Sequence, residues 1–148
     1  MPAPYRALPR LARGVFLFVG ALPWWIPLAR AHLDMGALGR ALDAVFVPMC
    51  HRLPERSLAL GGVMMPLCSR CAGIFAGLAI GAVIARPRLP IAVWRRALVA
   101  VAAVMVLDVV TQDLGLRPPW HPARIGTGLA LGYCMVVAFL THLAPVRR

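Results

Sequence analysis

Lysine is absent from the 148 residues, and all sixteen basic residues are arginine. Schiff-base chemistry and a P-loop lysine are therefore excluded. Asparagine is absent too, so there is no glycosylation sequon. The only serines are Ser57 and Ser69, and neither sits in a G-x-S-x-G elbow. Negative charge is scarce: five acids face sixteen arginines, for a net charge of +11. Charged residues make up 14% of the chain, where a soluble domain carries about 25%. What fills the space is apolar. Hydrophobic residues reach 61% and the mean hydropathy is +0.78. This excludes a disordered chain and argues for an integral membrane protein rather than a soluble enzyme.

A pI near 11.5 would suit nucleic-acid binding. The arginines instead cluster beside apolar spans, as topology signals do. Nothing resembles a nucleic-acid-binding motif, so the expected partner is the lipid bilayer and not nucleic acid. A span needs about 20 mostly apolar residues. Four stretches qualify or nearly do: 14–31, 66–85, 97–114 and 124–143. The expected fold is all-α, a single small polytopic membrane domain over 1–148 with four transmembrane helices and a short interfacial helix. That last helix is expected at about 37–47. Its Leu38, Ala41, Leu42, Val45 and Phe46 follow a helical stripe, Asp34 is its expected N-cap, and Pro48 stops it.

Arginine counting sets the orientation. Arg6, Arg10 and Arg13, then Arg86, Arg88, Arg95 and Arg96, then Arg147 and Arg148 have no acidic neighbours. The remaining arginines are diluted by Asp34, Asp43, Glu55 and Asp113. Both termini are expected in the cytoplasm, in a cell inner membrane, with the Cys-His loop facing outward. A rival reading of the first span is a signal peptide cleaved near Ala29-Arg30-Ala31, although Trp24, Trp25 and two prolines make a poor apolar core for one. Either reading exports the following loop. Gly73, Gly77 and Gly81 line one face of the second span, and Gly128 and Gly132 one face of the fourth. Such small-residue stripes let membrane helices approach closely, so these two spans are expected to touch.

Cys50-His51 and Cys68-Ser69-Arg70-Cys71 form the sharpest constellation. A C-x2-C pair with further Cys or His ligands is a recurring way to hold a tetrahedral metal. The candidate ligands are Cys50, His51, Cys68 and Cys71. Zinc comes first, with iron or copper as alternatives. Neighbouring Cys50 and His51 diverge unless the backbone turns sharply. Three ligands and an open position would then make the site catalytic rather than structural. Cys68 and Cys71 are expected in the first turn of a helix, where the dipole and Arg70 favour the thiolate. Cys134, in mid-span, reads as a small buried hydrophobe.

Asp108 and Gln112 share a helical face with Thr111. Asp108 lies about 18 Å along the axis from Arg96 and so inside the hydrocarbon. A carboxylate there costs about 2.5–3.5 kcal/mol on insertion scales and needs a partner. Arg70 and Arg124 are the natural ones. The alternative is an ion pair that only fixes helix register. Asp108, Gln112, Arg70, Arg124 and Glu55 are thus the candidate catalytic or ligand-pocket residues, and a lipid or small anionic molecule is the expected ligand.

Cys50-His51-Arg-Leu-Pro-Glu55-Arg56-Ser57 followed by Cys68-Ser-Arg70-Cys71-Ala-Gly73 resembles the prokaryotic membrane proteins grouped as the domain of unknown function 2085. The later Asp108…Gln112 and Arg124-Ile-Gly-Thr127-Gly128 are similar to the same family. The resemblance covers roughly residues 45 to 135. It implies a helical membrane fold and supplies no reaction. Three functions stay open: metal-dependent chemistry on, or binding of, a lipid-phase or periplasmic ligand; thiol–disulfide exchange through Cys68 and Cys71; and a structural or partner-binding subunit with a zinc staple.

Overall fold

The computed structural model describes residues 4–50, 53–86 and 88–143. Along them run α1 (Pro4–His32), α2 (Gly36–Ala44), a 3-10 turn (Pro54–Arg56), β1 (Ser57–Leu60), β2 (Val63–Cys68), α3 (Ser69–Ile84), α4 (Ile91–Asp113) and α5 (His121–Leu143). The chain is mostly helical, with one small hairpin. His51 lies outside the described residues, as do Arg147 and Arg148 of the orientation argument.

α3 sits between α1 and α5, and α4 lies against α5 on the outside. The glycine stripes explain the first arrangement. A Cβ at Gly77 would meet the Leu129 carbonyl, and one at Gly128 would meet the Arg70 carbonyl. α3 and α5 therefore touch backbone to backbone, as the stripes predict. On the other side of α3, a Cβ at Gly20 of α1 would lie 2.5 Å from the Phe75 carbonyl oxygen. One core cluster, Leu78, Ala85, Val136, Val137 and Leu140, fills one end of the bundle. There Arg13 donates to the carbonyls of Ala82 at 2.6 Å and Ala85 at 2.5 Å, closing the open end of α3. The second cluster, Ile26, Phe46 and Leu67, lies under the cysteines.

Two expectations need correction. The second span does not start at Pro66, because Val63–Cys68 is a strand and the helix begins at Ser69. The cause is Gly61-Gly62, with φ of +57° and +76°. Those left-handed values make the two-residue turn whose twist suits a hairpin. Leu60 pairs with Val63 and Ser57 with Cys68, with an irregularity between Ser57 and Ala59. Second, α2 is not capped by Asp34: Met35 takes the N-cap, without a side-chain bond. The apolar stripe is divided, with Phe46 buried and Leu42 packed on the second core cluster. Leu38 and Val45 are exposed, while Gly39 and Asp43 face inward. Asp43 turns in because Arg30, at the end of α1, pairs with it.

Two helices are long and apolar enough to cross a bilayer, α1 over Leu8–His32 and α5 over His121–Leu143. α3 is apolar, but its 16 residues reach only about 24 Å against a hydrocarbon core of about 30 Å. α4 begins with Arg95 and Arg96 and ends with Asp108 and Asp113. By length and composition two helices qualify as spans, and the expectation of four is not supported by that measure. Large side chains such as Leu11, Phe18, Val99 and Leu107 are more than 60% exposed on the flanks of this bundle. A surface of that kind belongs against lipid or another apolar partner.

Candidate metal centre and arginine cavity

Two separate stretches of chain deliver the cysteines. After α2 the chain turns, and Phe46 plugs into the second core cluster, 2% exposed and edge-on to Phe75 at 5.8 Å. That anchor fixes the next turn, in which the Cys50 amide donates to the Phe46 carbonyl at 3.2 Å. The hairpin brings the other pair. Met65 and Leu67 are fully buried, so β2 is held against α1 and places Cys68 at the N-cap of α3. Cys71 follows one turn later. The Cys68 amide donates to the Cys50 sulfur at 3.2 Å and stitches the two stretches together.

The ligand atoms of Cys50, Cys68 and Cys71 all lie within 4.8 Å of one another, and each residue is half-buried. A tetrahedral zinc with Zn–S bonds of about 2.3 Å needs sulfurs about 3.8 Å apart. The group closes on such an ion with shifts of about 1 Å or less. All three are free thiols. Cys68 is held far below the usual thiol range, at about 4. The largest cause is the hydrogen bond from the Cys71 thiol, opposed by partial burial and helped by the amide of Cys71, the thiol of Cys50 and the amide of Arg70. Cys134 stands apart, buried in α5.

A cavity of about 240 Å³ opens beside the sulfurs, and Arg56, Arg70 and Arg124 line it along with the three cysteines. The acid expected here is one step removed. Asp108 is 5% exposed and pairs with Arg70 across the α3–α4 gap. Its second guanidinium partner is Arg117, not Arg124 as the sequence reading expects. Gly115, with φ of +71°, reverses the chain after α4, and Arg117 folds back to donate to the Thr111 hydroxyl at 3.0 Å. Gln112 donates to the same carboxylate at 3.2 Å. Arg124 is 2% exposed, and its Nε and Nη1 are buried without a partner among the described residues. Glu55 is exposed on the 3-10 turn and does not line the cavity. Its neighbour Arg56 does, and reaches Asp113 at 3.4 Å.

Sequence reasoning missed Arg117, although the glycine two residues before it marks a reversal that can bring a side chain back. It also missed the hairpin, whose Gly-Gly between apolar runs is a turn signal.

Residues 50–138 match the family described as "Predicted membrane protein (DUF2085)". The chain belongs to this family. Two archaeal relatives match as well. The uncharacterized protein MJ1492 of Methanocaldococcus jannaschii is 31% identical over 129 residues, covering 84% of this chain and 83% of its own. An uncharacterized protein of Methanothermobacter thermautotrophicus is 34% identical over 101 residues, covering 64% of this chain and 89% of its own. No solved structure matches. The family match begins at Cys50 and takes in Cys68, Cys71, Asp108 and Arg124. This DUF2085 member is therefore a membrane protein whose Cys50, Cys68 and Cys71 group could hold a metal ion.

Proposed function

We propose that this protein is a membrane metalloprotein whose metal site faces outward and serves a ligand entering from the lipid or the periplasm. The observation that carries the reading is the convergence of three sulfurs from two distant stretches of chain within 4.8 Å. Cys50, Cys68 and Cys71 are the ligands, zinc is the first candidate ion with iron or copper next, and His51 is a candidate for the fourth place. The lowered pKa of Cys68 fits, because the thiolate is the binding form. A bound metal would polarise a substrate or activate a water. Arg70 stands at the cavity, and Asp108, braced by Gln112 and Arg117, holds it in place.

All four long helices cross the membrane in this proposal, with both termini in the cytoplasm. The support is packing: α3 lies between α1 and α5, and Arg70 near the start of α3 meets Asp108 near the end of α4. Antiparallel neighbours of shared depth give such contacts. α2, with Leu38 and Val45 outward, rests in the outer interface.

Elemental analysis with free-thiol titration on detergent-purified protein tests the metal. One stoichiometric metal, lost in Cys68→Ser, is the expected result. Unchanged metal content in that variant overturns it. A second reading draws on the low pKa of Cys68 within a C-x-x-C pair: thiol–disulfide exchange between Cys68 and Cys71 with Cys50 as relay. Its mark in the same titration is no metal and Cys68 oxidised together with Cys71.

A further inference from the structure

We propose that the cavity beside the cysteines binds a phosphate-type oxyanion through Arg124, Arg70 and Arg56. The inference concerns the same site as the metal reading and names its ligand, but it stands on the arginines. Arg124 is 2% exposed and lines the cavity, yet its Nε and Nη1 have no partner among the described residues. Arg70 is 8% exposed; Asp108 holds its Nη2, while its Nε is buried and has no partner among the described residues. Burying an arginine without a counter-charge is costly. No carboxylate makes a hydrogen bond or ion pair with Arg124 among the described residues. Asp108 is shared by Arg70 and Arg117, and Asp113 answers Arg56. Three thiolates around a divalent metal would leave one net negative charge against three guanidiniums.

The donor set points to the chemical class. Arg70 and Arg124 both line the cavity, and the Nε of Arg70 and the Nε and Nη1 of Arg124 are buried without a hydrogen-bond partner among the described residues. A carboxylate offers two oxygens, whereas a phosphate group offers three or four and matches forked guanidiniums. The facing helices hold the two arginines in place. Gly128, one turn after Arg124, lies against the Arg70 carbonyl, so α3 and α5 cannot drift apart there without losing the contact. Met49 and Leu53 form an exposed apolar rim to the cavity. The phosphate could thus arrive free or as the headgroup of an anionic lipid.

The test uses the full-length protein, metal-loaded and metal-free. Inorganic phosphate is titrated at fixed ionic strength in uncharged detergent, with chloride as the control. In parallel, nanodiscs of phosphatidylglycerol and of phosphatidylcholine are compared for lipid retained on the protein by native mass spectrometry. Saturable phosphate binding supports a free anion, and selective retention of phosphatidylglycerol supports the lipid source. In either case Arg124→Gln should weaken binding at least about tenfold, as the loss of a charged hydrogen bond does. Its metal content should be unchanged. Its melting temperature without anion should not fall, since an unpartnered buried charge is removed. If that variant fails to fold, Arg124→Lys keeps the charge, loses the fork, and should bind more weakly than the parent. Binding equal in the parent and the variant, or no saturable binding of either probe, overturns the proposal. Metal bound without any anion leaves the metal reading standing alone. Anion bound without any metal does the reverse.

Discussion

Replacing Asp108 by asparagine tests how one carboxylate ties the end of α4 to α3. The side chain is 5% exposed and accepts from Arg70 and Arg117, and from Gln112 at 3.2 Å. Asparagine keeps the shape, removes the charge, and turns an NH2 toward a guanidinium. Removing one partner of a buried pair costs about 3–5 kcal/mol, because the other charge is left in place. The two halves differ. The Arg117 side chain is 36% exposed, so solvent screens its share, and Arg117→Ala should cost no more than about 1 kcal/mol. The Arg70 side chain is 10% exposed and carries the larger part. An apolar pair of similar volume, Arg70→Met with Asp108→Leu, should recover most of the loss. Reversible unfolding of the purified protein in mixed detergent and SDS measures all three variants. A cost below about 1 kcal/mol for Asp108→Asn would refute the reasoning. So would a double variant no more stable than Asp108→Asn.

Other outcomes follow from the same geometry. In metal-free protein Cys68 should react with iodoacetamide at pH 6, since its thiolate persists down to about pH 4, where an ordinary thiol needs about pH 8.5. Cys71→Ala removes the main hydrogen bond to that thiolate and should move the labelling midpoint upward; labelling confined to pH above about 8 in the parent would contradict this. Gly128→Ala should destabilise by about 1–3 kcal/mol, because its Cβ meets the Arg70 carbonyl. Gly126→Ala, with open space around its Cβ, should instead stabilise by up to about 1 kcal/mol; equal effects in thermal melts would sink the close-packing argument. Gly62→Val forces a branched side chain to a φ of +76° and should cost about 1–2 kcal/mol, with weaker metal retention, because that turn sets the register that presents Cys68.

The long helices were legible because apolar length is a composition signal: α1 and α5 cover the stretches read for them, and α4 covers all of its stretch but Leu114. The hairpin was not. Val63–Leu67 is apolar because Met65 and Leu67 are buried against α1, and it runs without a break into apolar α3. Short apolar runs of this kind do not reveal their period. Burial also explains α2, whose hydrophobic stripe is sound as a pattern. The face it buries carries the Arg30–Asp43 pair as well as Leu42, with Phe46 just after the helix in the second core cluster. At the site, the cysteine spacing was readable and the ligand atoms do converge, while His51 falls outside the described residues.

The exchange of Arg117 for Arg124 at Asp108 shows where reading height along a helix stops being enough. Arg70 and Arg124 share a depth, but depth does not fix which way a side chain points around its helix. Asp108 faces α3 and the returning loop, so it takes Arg70 and Arg117. Arg124 faces the cavity and is left over. That leftover goes back to the composition. Five acids serve sixteen arginines. Asp43 is spent on Arg30, Asp113 on Arg56 and Asp108 on two guanidiniums at once, while Asp34 and Glu55 are exposed. Of the two arginines buried among the described residues, Arg70 and Arg124, only Arg70 has a carboxylate in contact. Arg124 instead shares its cavity with the thiol group of Cys68, and the oxyanion proposed for that cavity would add the negative charge that no carboxylate supplies by contact.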